Sequence, residues 1–190
     1  NIIVRQCLEG DFEWLFFLEH DVVVPDNMMV MLDEYMHDAK IPIVSGLYFS
    51  RSRPSRPLTF RGRGTGVYDG WTLGEKIWVD GVPTGALLVH HSILRLMWDE
   101  SPEYILRRPD GGAEITRRIF ETPRVLYLDD GMHNAVSGTS DLWWCDRIMR
   151  ENVIERAGWA TDYCPDMTYP FLIDTRLFCR HINTNGEVFP

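Results

Sequence analysis

The chain has 190 residues, of which 45% are hydrophobic and 25% are charged, so its composition excludes disordered, collagen-like and low-complexity chains. This length is typical of one domain, and we expect residues 1–190 to form a single domain whose core needs no disulfide or structural metal. The formal net charge of −9 argues against a role in coating DNA or RNA, because such an interface needs a positive field.

The cysteine pattern and the lengths of the apolar runs bear on the compartment. Cys7, Cys145, Cys164 and Cys179 are scattered without a C-x-x-C pair, which disfavours a structural zinc site and a disulfide framework. Free thiols are typical of a reducing compartment, and we therefore expect a cytoplasmic protein. No signal peptide is visible in residues 1–190, and no apolar run in them approaches the ~20 residues that a transmembrane helix needs.

The first part of the chain predicts alternating helices and strands. Residues 2–9 have helical periodicity, and the apolar run at 13–18 is typical of a fully buried strand in a mainly parallel sheet. A helix is expected at 25–36 and another strand at 41–47. This order indicates an α/β fold with a mixed, mainly parallel sheet flanked by helices.

The rest of the chain predicts further elements around two turn-rich segments. Residues 50–76 are rich in Pro and Gly, residues 99–124 are polar, and we expect both segments to be irregular or mobile. The amphipathic stretch at 141–157 predicts a long helix with Gly158 as its C-cap. The remaining predictions are strands at 78–81, 86–90, 125–128, 171–173 and 177–182 and a short helix at 92–98.

Two carboxylates, Glu19 and Asp21, follow the first predicted strand. Ligands of open α/β sheets bind outside the carboxyl ends of strands, and carboxylates at this spacing bind a divalent cation directly or through water. A cation at this position would neutralise a diphosphate. The alternative is that Asp21 caps the following turn while Glu19 is simply exposed, and the spacing by itself does not separate these interpretations.

Two further candidates lie late in the chain. His181 is near the end of the last predicted strand, where a neutral imidazole is a common metal ligand, although a core histidine is the commoner explanation of a single His. Asp141 follows Ser140 at the start of the long helix. Either residue is a suitable helix cap, and a carboxylate there that faces a cleft is also available as a general base.

Two loops supply the remaining candidates. Gly81 and Gly85 flank a turn before the strand at 86–90, where glycine permits either a tight turn or a close ligand approach. Arginine binds phosphate and carboxylate bidentately, but it also keeps loops solvated. The arginines of the second loop are Arg51, Arg53, Arg56, Arg61 and Arg63.

Taken in order, these motifs resemble an inverting family-2-like glycosyltransferase with the GT-A fold, the fold of nucleotide-diphospho-sugar transferases. The run at 13–21 resembles the strand that delivers the DxD motif of that family, with Glu19 in place of the first Asp. The resemblance implies that Asp21 ligates Mn²⁺ or Mg²⁺ and that Glu19 faces the donor sugar or ribose. The run at 174–181 resembles the late strand of the family, which implies that His181 completes the metal site.

The run at 140–145 resembles the Glu-Asp motif that begins a helix in this family, with Ser140 in place of Glu. The resemblance implies that Asp141 is the catalytic base of a single displacement on a UDP- or GDP-sugar. The acceptor is expected to be a saccharide, a lipid-linked molecule or a protein. The donor-binding residues would be Glu19, Asp21, Gly85, Arg51 and Arg53.

The resemblance covers roughly residues 1–185, but members of this family carry further strand–helix units before the DxD strand, and these bind the nucleotide base. Since only 18 residues precede Glu19 and the chain begins with Asn1, we expect the C-terminal part of such a domain, completed by a preceding segment or a partner chain.

Two other functions remain open. A degenerate GT-A domain would act as a non-catalytic binding or assembly module, and a sugar-nucleotide nucleotidyltransferase would use a related fold. The short N-terminal part and Ser140 favour the module, whereas the joint presence of Asp21, Asp141 and His181 favours the transferase.

Overall fold

The computed structural model of the chain describes residues 1–62, 66–122 and 138–190, together with the backbone of residues 124–129 and 132–137. The helices within this part are α1 (Ile2–Glu9), α2 (Met28–Asp38), α3 (His91–Glu100), α4 (Ser140–Arg150) and α5 (Val153–Arg156). The strands are β1 (Trp14–Leu18), β2 (Val22–Val23), β3 (Ile43–Leu47), β4 (Phe60–Arg61), β5 (Gly66–Val67), β6 (Lys76–Val79), β7 (Ala86–His90), β8 (Glu103–Arg107), β9 (Ala113–Arg117), β10 (Arg124–Asp129), β11 (Met132–Ser137), β12 (Phe171–Phe178), β13 (Arg180–Ile182) and β14 (Val188–Phe189).

The central sheet has the strand order β1-β7-β3-β12-β6. β3 and β12 are parallel, whereas β7 runs antiparallel to both β1 and β3, and β6 runs antiparallel to β12. The α/β class is confirmed, but the prediction of a mainly parallel sheet is wrong, because β7 is inserted between two strands that run in the same direction. Since β1, β3 and β12 run in the same direction, their C-terminal ends all lie at the same end of the sheet.

β1 is an edge strand among the described strands, with β7 as its neighbour. Its residues Trp14 to Phe17 are only half-buried and Leu18 is exposed, so the prediction of a fully buried strand is wrong. The apolar run reflects contacts on both faces of the sheet: Leu15 and Phe17 pack against one hydrophobic cluster, and Trp14 and Phe16 pack against another. A continuous apolar run therefore does not distinguish an edge strand with two covered faces from a central strand.

Helices cover both faces of this sheet. On one face, α2 presents Met28, Leu32 and Tyr35, whose spacing of three to four residues forms one apolar stripe that packs on Val44 and Leu172. On the other face, the core is built from α1, α3 and α4; its largest fully buried side chain is Trp144, stacked between Phe120 and Phe171.

The polar segment at 99–124, which was expected to be irregular, contains the antiparallel hairpin of β8 and β9. Tyr104 pairs with Thr116, Ile105 pairs with Ile115, and Gly111 adopts a positive φ of 84° in the turn. Ile105 and Ile115 are both exposed, so one face of this hairpin is open to solvent. More buried and more exposed positions alternate along these strands with a period of two, as is typical of a β-strand. The turn-forming residues of the segment make this period hard to recognise in the sequence.

The late elements differ from the prediction at two points. The long helix is divided, because Asn152 adopts a left-handed conformation between α4 and α5, while Gly158 has the positive φ expected of a C-cap. The two strands expected at 171–182 do not pair with each other: β12 pairs with β3 and β6, and β13 pairs with β2 and β14. All four cysteines are free and buried, as expected.

Within the described residues, none of the helices combines the length and the apolar character needed to cross a lipid bilayer.

In the segment before Lys76 that was predicted to be irregular, the described residues form only the two-residue strands β4 and β5. Arg63, one of the five arginines of this loop, lies outside the described residues.

Candidate functional site

Three segments meet at the edge of the central sheet where β1, β3 and β12 end. Glu19 and Asp21 follow β1, Tyr48 and Phe49 follow β3, and β13 with His181 follows β12. Backbone pairing then joins the first and last of these segments, since His181 lies opposite Val22 and the N–H of Ile182 donates to the carbonyl oxygen of Asp21 at 2.9 Å. Residues 159 and 161 positions apart in the chain are thereby held side by side.

Glu19, Asp21 and His181 each place a ligand atom within 4.8 Å of the other two. Glu19 is exposed, Asp21 is half-buried and His181 is buried. Two carboxylate oxygens and one imidazole nitrogen form a mixed donor set that suits Mn²⁺, whereas Mg²⁺ prefers oxygen ligands alone. The resemblance to the GT-A transferases implies that Asp21 and His181 hold a metal and that Glu19 faces the donor sugar or ribose; the structure brings the ligand atoms of all three residues close together.

The orientation of His181 is set by the chain segment after β3. Its Nδ1 lies 2.5 Å from the carbonyl oxygen of Phe49, and a carbonyl oxygen only accepts hydrogen bonds, so we assign the ring proton to Nδ1. The ring of Tyr48 packs edge-on against the imidazole at 5.1 Å. Nε2 is therefore the nitrogen with a free lone pair, which is the arrangement of a histidine that ligates a metal.

Arg51 lies beside the two carboxylates. Its Nη1 is 2.8 Å from Oδ2 of Asp21, and half of its side-chain surface is exposed, compared with 15% for Asp21. Such a pair is weak because water screens it, and the guanidinium group keeps N–H donors for a further anion. Arg51 therefore offsets part of the negative charge of the cluster and remains free to contact a phosphate.

The other arginines of the loop have different surroundings. Arg53 pairs with Glu187, and Arg56 is exposed. Arg61 donates to the carbonyl oxygen of Trp78 at 2.9 and 3.1 Å and packs over the ring of Tyr68 at 3.6 Å, which gives it a structural role. Among the described arginines of this loop, Arg51 is the one that contacts the carboxylate cluster.

Gly85 fixes the backbone beside Glu19. Its carbonyl oxygen accepts from the N–H of Glu19 at 3.1 Å, and its own N–H donates to the hydroxyl of Tyr48 at 2.6 Å. A Cβ atom at Gly85 would lie 2.6 Å from that hydroxyl oxygen, so only glycine fits here. Thr84 donates to Oε1 of Glu19 at 3.3 Å. The turn at 81–85 thus positions Glu19.

Asp141 lies in the first turn of α4 and is half-buried, and its Oδ1 accepts from the N–H of Leu142 at 2.9 Å. α4 packs against the turn at 81–85, where Cys145 Sγ is 3.4 Å from the N–H of Val82. Burial raises the pKa of Tyr48 well above its usual value, and the negative charges of Glu19 and Asp141 raise it further. The helix that carries Asp141 and the side chain of Glu19 thus contact the same turn, α4 through Cys145 and Glu19 through Thr84.

Sequence reasoning missed Tyr48, Phe49 and Thr84 as residues that shape this site. Tyr48 and Phe49 follow β3, which is the next strand of the central sheet in chain order after β1, and residues that follow strands of the same direction meet at one end of the sheet. Their position after that strand is the sequence feature that could have identified them. No sequence feature indicates the contact of Thr84 with Glu19, because this contact depends on the antiparallel insertion of β7.

No protein-family model and no curated protein matches the sequence. Among solved structures, the chain is similar to the crystal structure of A197 from STIV, with a TM-score of 0.50 and 13% identity. The similarity covers 99% of this chain and 71% of that one. At this level of identity, the likeness concerns the fold.

Proposed function

We propose that this chain is the catalytic part of a metal-dependent, inverting glycosyltransferase, which moves a sugar from a nucleoside-diphosphate donor to an acceptor hydroxyl. Glu19, Asp21 and His181 carry this proposal, because their ligand atoms converge within 4.8 Å at the end of β1, next to a half-exposed arginine. The order of the motifs, which resembles the GT-A transferases, supports it.

Each residue of the cluster has a defined task in this reaction. Asp21 and His181 would hold the cation, and Glu19 would ligate it or contact the donor. A bound Mn²⁺ or Mg²⁺ would supply Lewis-acid stabilisation of the negative charge on the departing diphosphate. Arg51 would donate to phosphate oxygens with the N–H groups that its contact with Asp21 leaves free.

Asp141 would act as the general base. Its carboxylate takes the proton from the acceptor hydroxyl, and the acceptor oxygen forms a bond to the anomeric carbon on the face opposite the diphosphate. The bond between the anomeric carbon and the diphosphate oxygen breaks, and the nucleoside diphosphate leaves with the electron pair. The configuration at the anomeric carbon is inverted.

The first test is a thermal-shift titration with UDP, GDP and their sugar conjugates, each with and without Mn²⁺. A ligand that binds the folded state raises the melting temperature, so we expect a Mn²⁺-dependent rise with one nucleotide. The rise should disappear in Asp21→Asn and persist in Asp26→Asn, an exposed acid outside the cluster. A rise of equal size in Asp21→Asn would contradict the proposal.

The second test concerns the base. Asp141→Asn should keep the Mn²⁺-dependent rise with the donor and lose transfer by roughly a hundredfold or more, because an amide does not accept the proton. Release of nucleoside diphosphate in the presence of acceptor is the measurement. Asp146→Asn, on the same helix and paired with Arg150, is the matched control and should keep activity. Transfer at the parental rate in Asp141→Asn would show that another group removes the proton.

The alternative of a non-catalytic module rests on two observations. Ser140 stands where the family motif has an acidic residue, and Arg51 pairs with Asp21 and so offsets part of its charge. A folded chain that binds none of the nucleotides, with or without Mn²⁺, would favour the module. Release of pyrophosphate from a sugar phosphate and a nucleoside triphosphate would favour the nucleotidyltransferase.

A further inference from the structure

The hairpin of β8 and β9 is a two-stranded sheet of its own, since among the described strands each of the two pairs only with the other. Beside its turn, the N–H of Arg108 donates to the carbonyl oxygen of Gly112 at 2.8 Å. Pairs with and without hydrogen bonds alternate along an antiparallel ladder. The bonds from β8 to β9 therefore continue at Leu106 and Tyr104.

The intervening residues of β8 form a free edge. Glu103, Ile105 and Arg107 direct their N–H and C=O groups away from β9, and none of the described strands lies beside them there. All three side chains are exposed, with Ile105 at 59%. Unpaired backbone groups along an edge are a template for another strand, and a two-stranded sheet gains stability from further strands.

The charges of this edge are complementary to those of a second copy. When two β8 strands pair antiparallel with Ile105 opposite Ile105, Glu103 of each copy lies opposite Arg107 of the other. Arg107 forms no ion pair within the described part of the chain. Glu103 contacts Arg117 through Oε1, which leaves Oε2 available. Opposite charges that face each other across two strands stabilise the pairing.

The sequence around β8 disfavours other registers of this pairing. A shift of two residues in one direction places Pro109, which has no N–H, opposite Glu103. The same shift in the other direction requires Ser101, which is buried, to pair with Arg107. A shift of one residue places outward-pointing backbone groups opposite groups that point to β9. The arrangement centred on Ile105 is free of all three conflicts.

We propose that this chain forms a two-fold symmetric dimer in which the β8 strands of two copies pair antiparallel about Ile105. The two hairpins become one four-stranded sheet, joined by about six backbone hydrogen bonds between the copies. Ile115 lies opposite Ile105 in each hairpin, so four isoleucines form one row across the exposed face. The interface shares no residue with the carboxylate cluster and does not depend on the proposed transferase activity.

One strand from each copy buries little surface, so we expect a reversible dimer. Sedimentation velocity from low micromolar concentrations to about 0.5 mM should show a monomer–dimer equilibrium. Arg107→Glu and Glu103→Arg should each raise the dissociation constant roughly tenfold or more, because each places like charges opposite one another. Arg56→Glu makes the same charge change in an exposed loop and should dimerise like the parent.

A mixture of the two charge variants provides the decisive measurement. In a mixed dimer of Arg107→Glu with Glu103→Arg, both cross-strand pairs again join opposite charges. We therefore expect the equimolar mixture to dimerise about as well as the parent, although neither variant does so alone. A general loss of stability in either variant would not be rescued by mixing.

The backbone contribution is tested at the two-fold axis. The N–H of Ile105 points away from β9, so Ile105→Pro keeps the ladder within the hairpin and removes a donor to the second copy. It should abolish the dimer while the urea midpoint stays close to that of the parent. Ile105→Ala, the matched substitution, removes the apolar side chain but keeps the donor, and it should weaken the dimer only a few-fold.

Cross-linking locates the interface. The four native cysteines are buried, so Ile105→Cys supplies one accessible thiol in each copy. A short bismaleimide should link two copies through it, and should not link Ala113→Cys, which is exposed on β9 and lies far from its counterpart in the dimer.

A parent chain that stays monomeric up to about 0.5 mM would overturn the proposal. A mixture of the charge variants that stays monomeric would overturn it as well. A dimer that persisted in Ile105→Pro and in both charge variants would assign the association to another surface.

Discussion

Asp21 and Asp174 are both carboxylates of the central sheet region, but their surroundings are opposite. Asp174 is fully buried in β12 and accepts from the hydroxyl of Tyr35 at 2.6 Å and from Arg176 through Nη2 at 2.6 Å, Nε at 3.0 Å and the backbone N–H at 3.0 Å. Asp21 is partly exposed and contacts Arg51, whose side chain is half in solvent.

This difference indicates which carboxylate is structural and which is available to a ligand. Burial by itself raises the pKa of Asp174, but the hydrogen bonds from Arg176 and Tyr35 outweigh it and hold the pKa below its usual range. Those bonds occupy both oxygens, so Asp174 joins α2 to β12 and has no acceptor position left. Asp21, Glu19 and His181 instead hold their ligand atoms within 4.8 Å of one another, an arrangement in which all three could contact one cation.

Exchange of each aspartate for Asn should separate these roles most clearly. Asp174→Asn should lower the free energy of unfolding by about 3 kcal/mol, because it breaks a buried charge-assisted network. Asp21→Asn should change it by less than about 1 kcal/mol and abolish Mn²⁺ binding. Urea unfolding and calorimetric titration with Mn²⁺ measure the two effects. A parental urea midpoint for Asp174→Asn would refute the structural assignment.

Tyr35→Phe tests the same network with a smaller change. It removes the donor to Asp174 and keeps the ring, so we expect a loss of about 2 kcal/mol in the free energy of unfolding. The matched control is Tyr68→Phe, whose hydroxyl donates to the carbonyl oxygen of Gly70 in an exposed bond and should matter little. Equal effects of the two substitutions in urea unfolding would mean that burial does not strengthen the bond to Asp174.

The pH dependence of stability should reveal two groups with lowered pKa values. Burial lowers the pKa of His90 from its ordinary value of 6.5, and the charge of His91 lowers it further against the opposing effect of Glu13. The unfolded chain then binds protons more readily, so stability should fall as the pH drops below 6.5, and again below 3.8 because of Asp174.

Urea unfolding at a series of pH values checks this expectation. His90→Gln should remove the first decline. Asp174→Asn should reduce the second, to which Glu121 and Asp166 also contribute because their pKa values are lowered as well. His37→Gln, at an exposed position in α2, should keep both declines. A first decline that persisted in His90→Gln would assign it to another group.

Arg51→Gln should have the smallest effect on binding, and the direction of the change in Mn²⁺ affinity is its informative result. Removal of the positive charge beside Asp21 should strengthen the binding of Mn²⁺ alone by a few-fold, at roughly 1 kcal/mol for an exposed pair. It should also weaken the binding of a nucleoside diphosphate, because a phosphate contact is lost. Arg56→Gln, in the same loop and exposed, is the control. Weaker binding of Mn²⁺ alone would show that Arg51 orients Asp21 for the cation rather than competing with the cation for this carboxylate.

The sequence by itself determined the local elements with a strong pattern. The helical period of residues 2–9 and the apolar run at 86–90 correspond to α1 and β7 at the same bounds, and Gly158 has the left-handed conformation expected after a helix. The acidic residues after β1 were also recognisable, since strand ends and carboxylates are both local features. These properties depend on neighbours within a few residues, which the sequence shows directly.

Only the tertiary structure decided the features that depend on distant partners. The insertion of β7 made the sheet mostly antiparallel and left β1 at an edge, and no local pattern states which strand lies beside which. The carbonyl oxygen of Phe49 selects the tautomer of His181 across 132 residues. The difference between Asp21 and Asp174 has the same origin, because a carboxylate becomes structural only when the fold supplies donors for both of its oxygens.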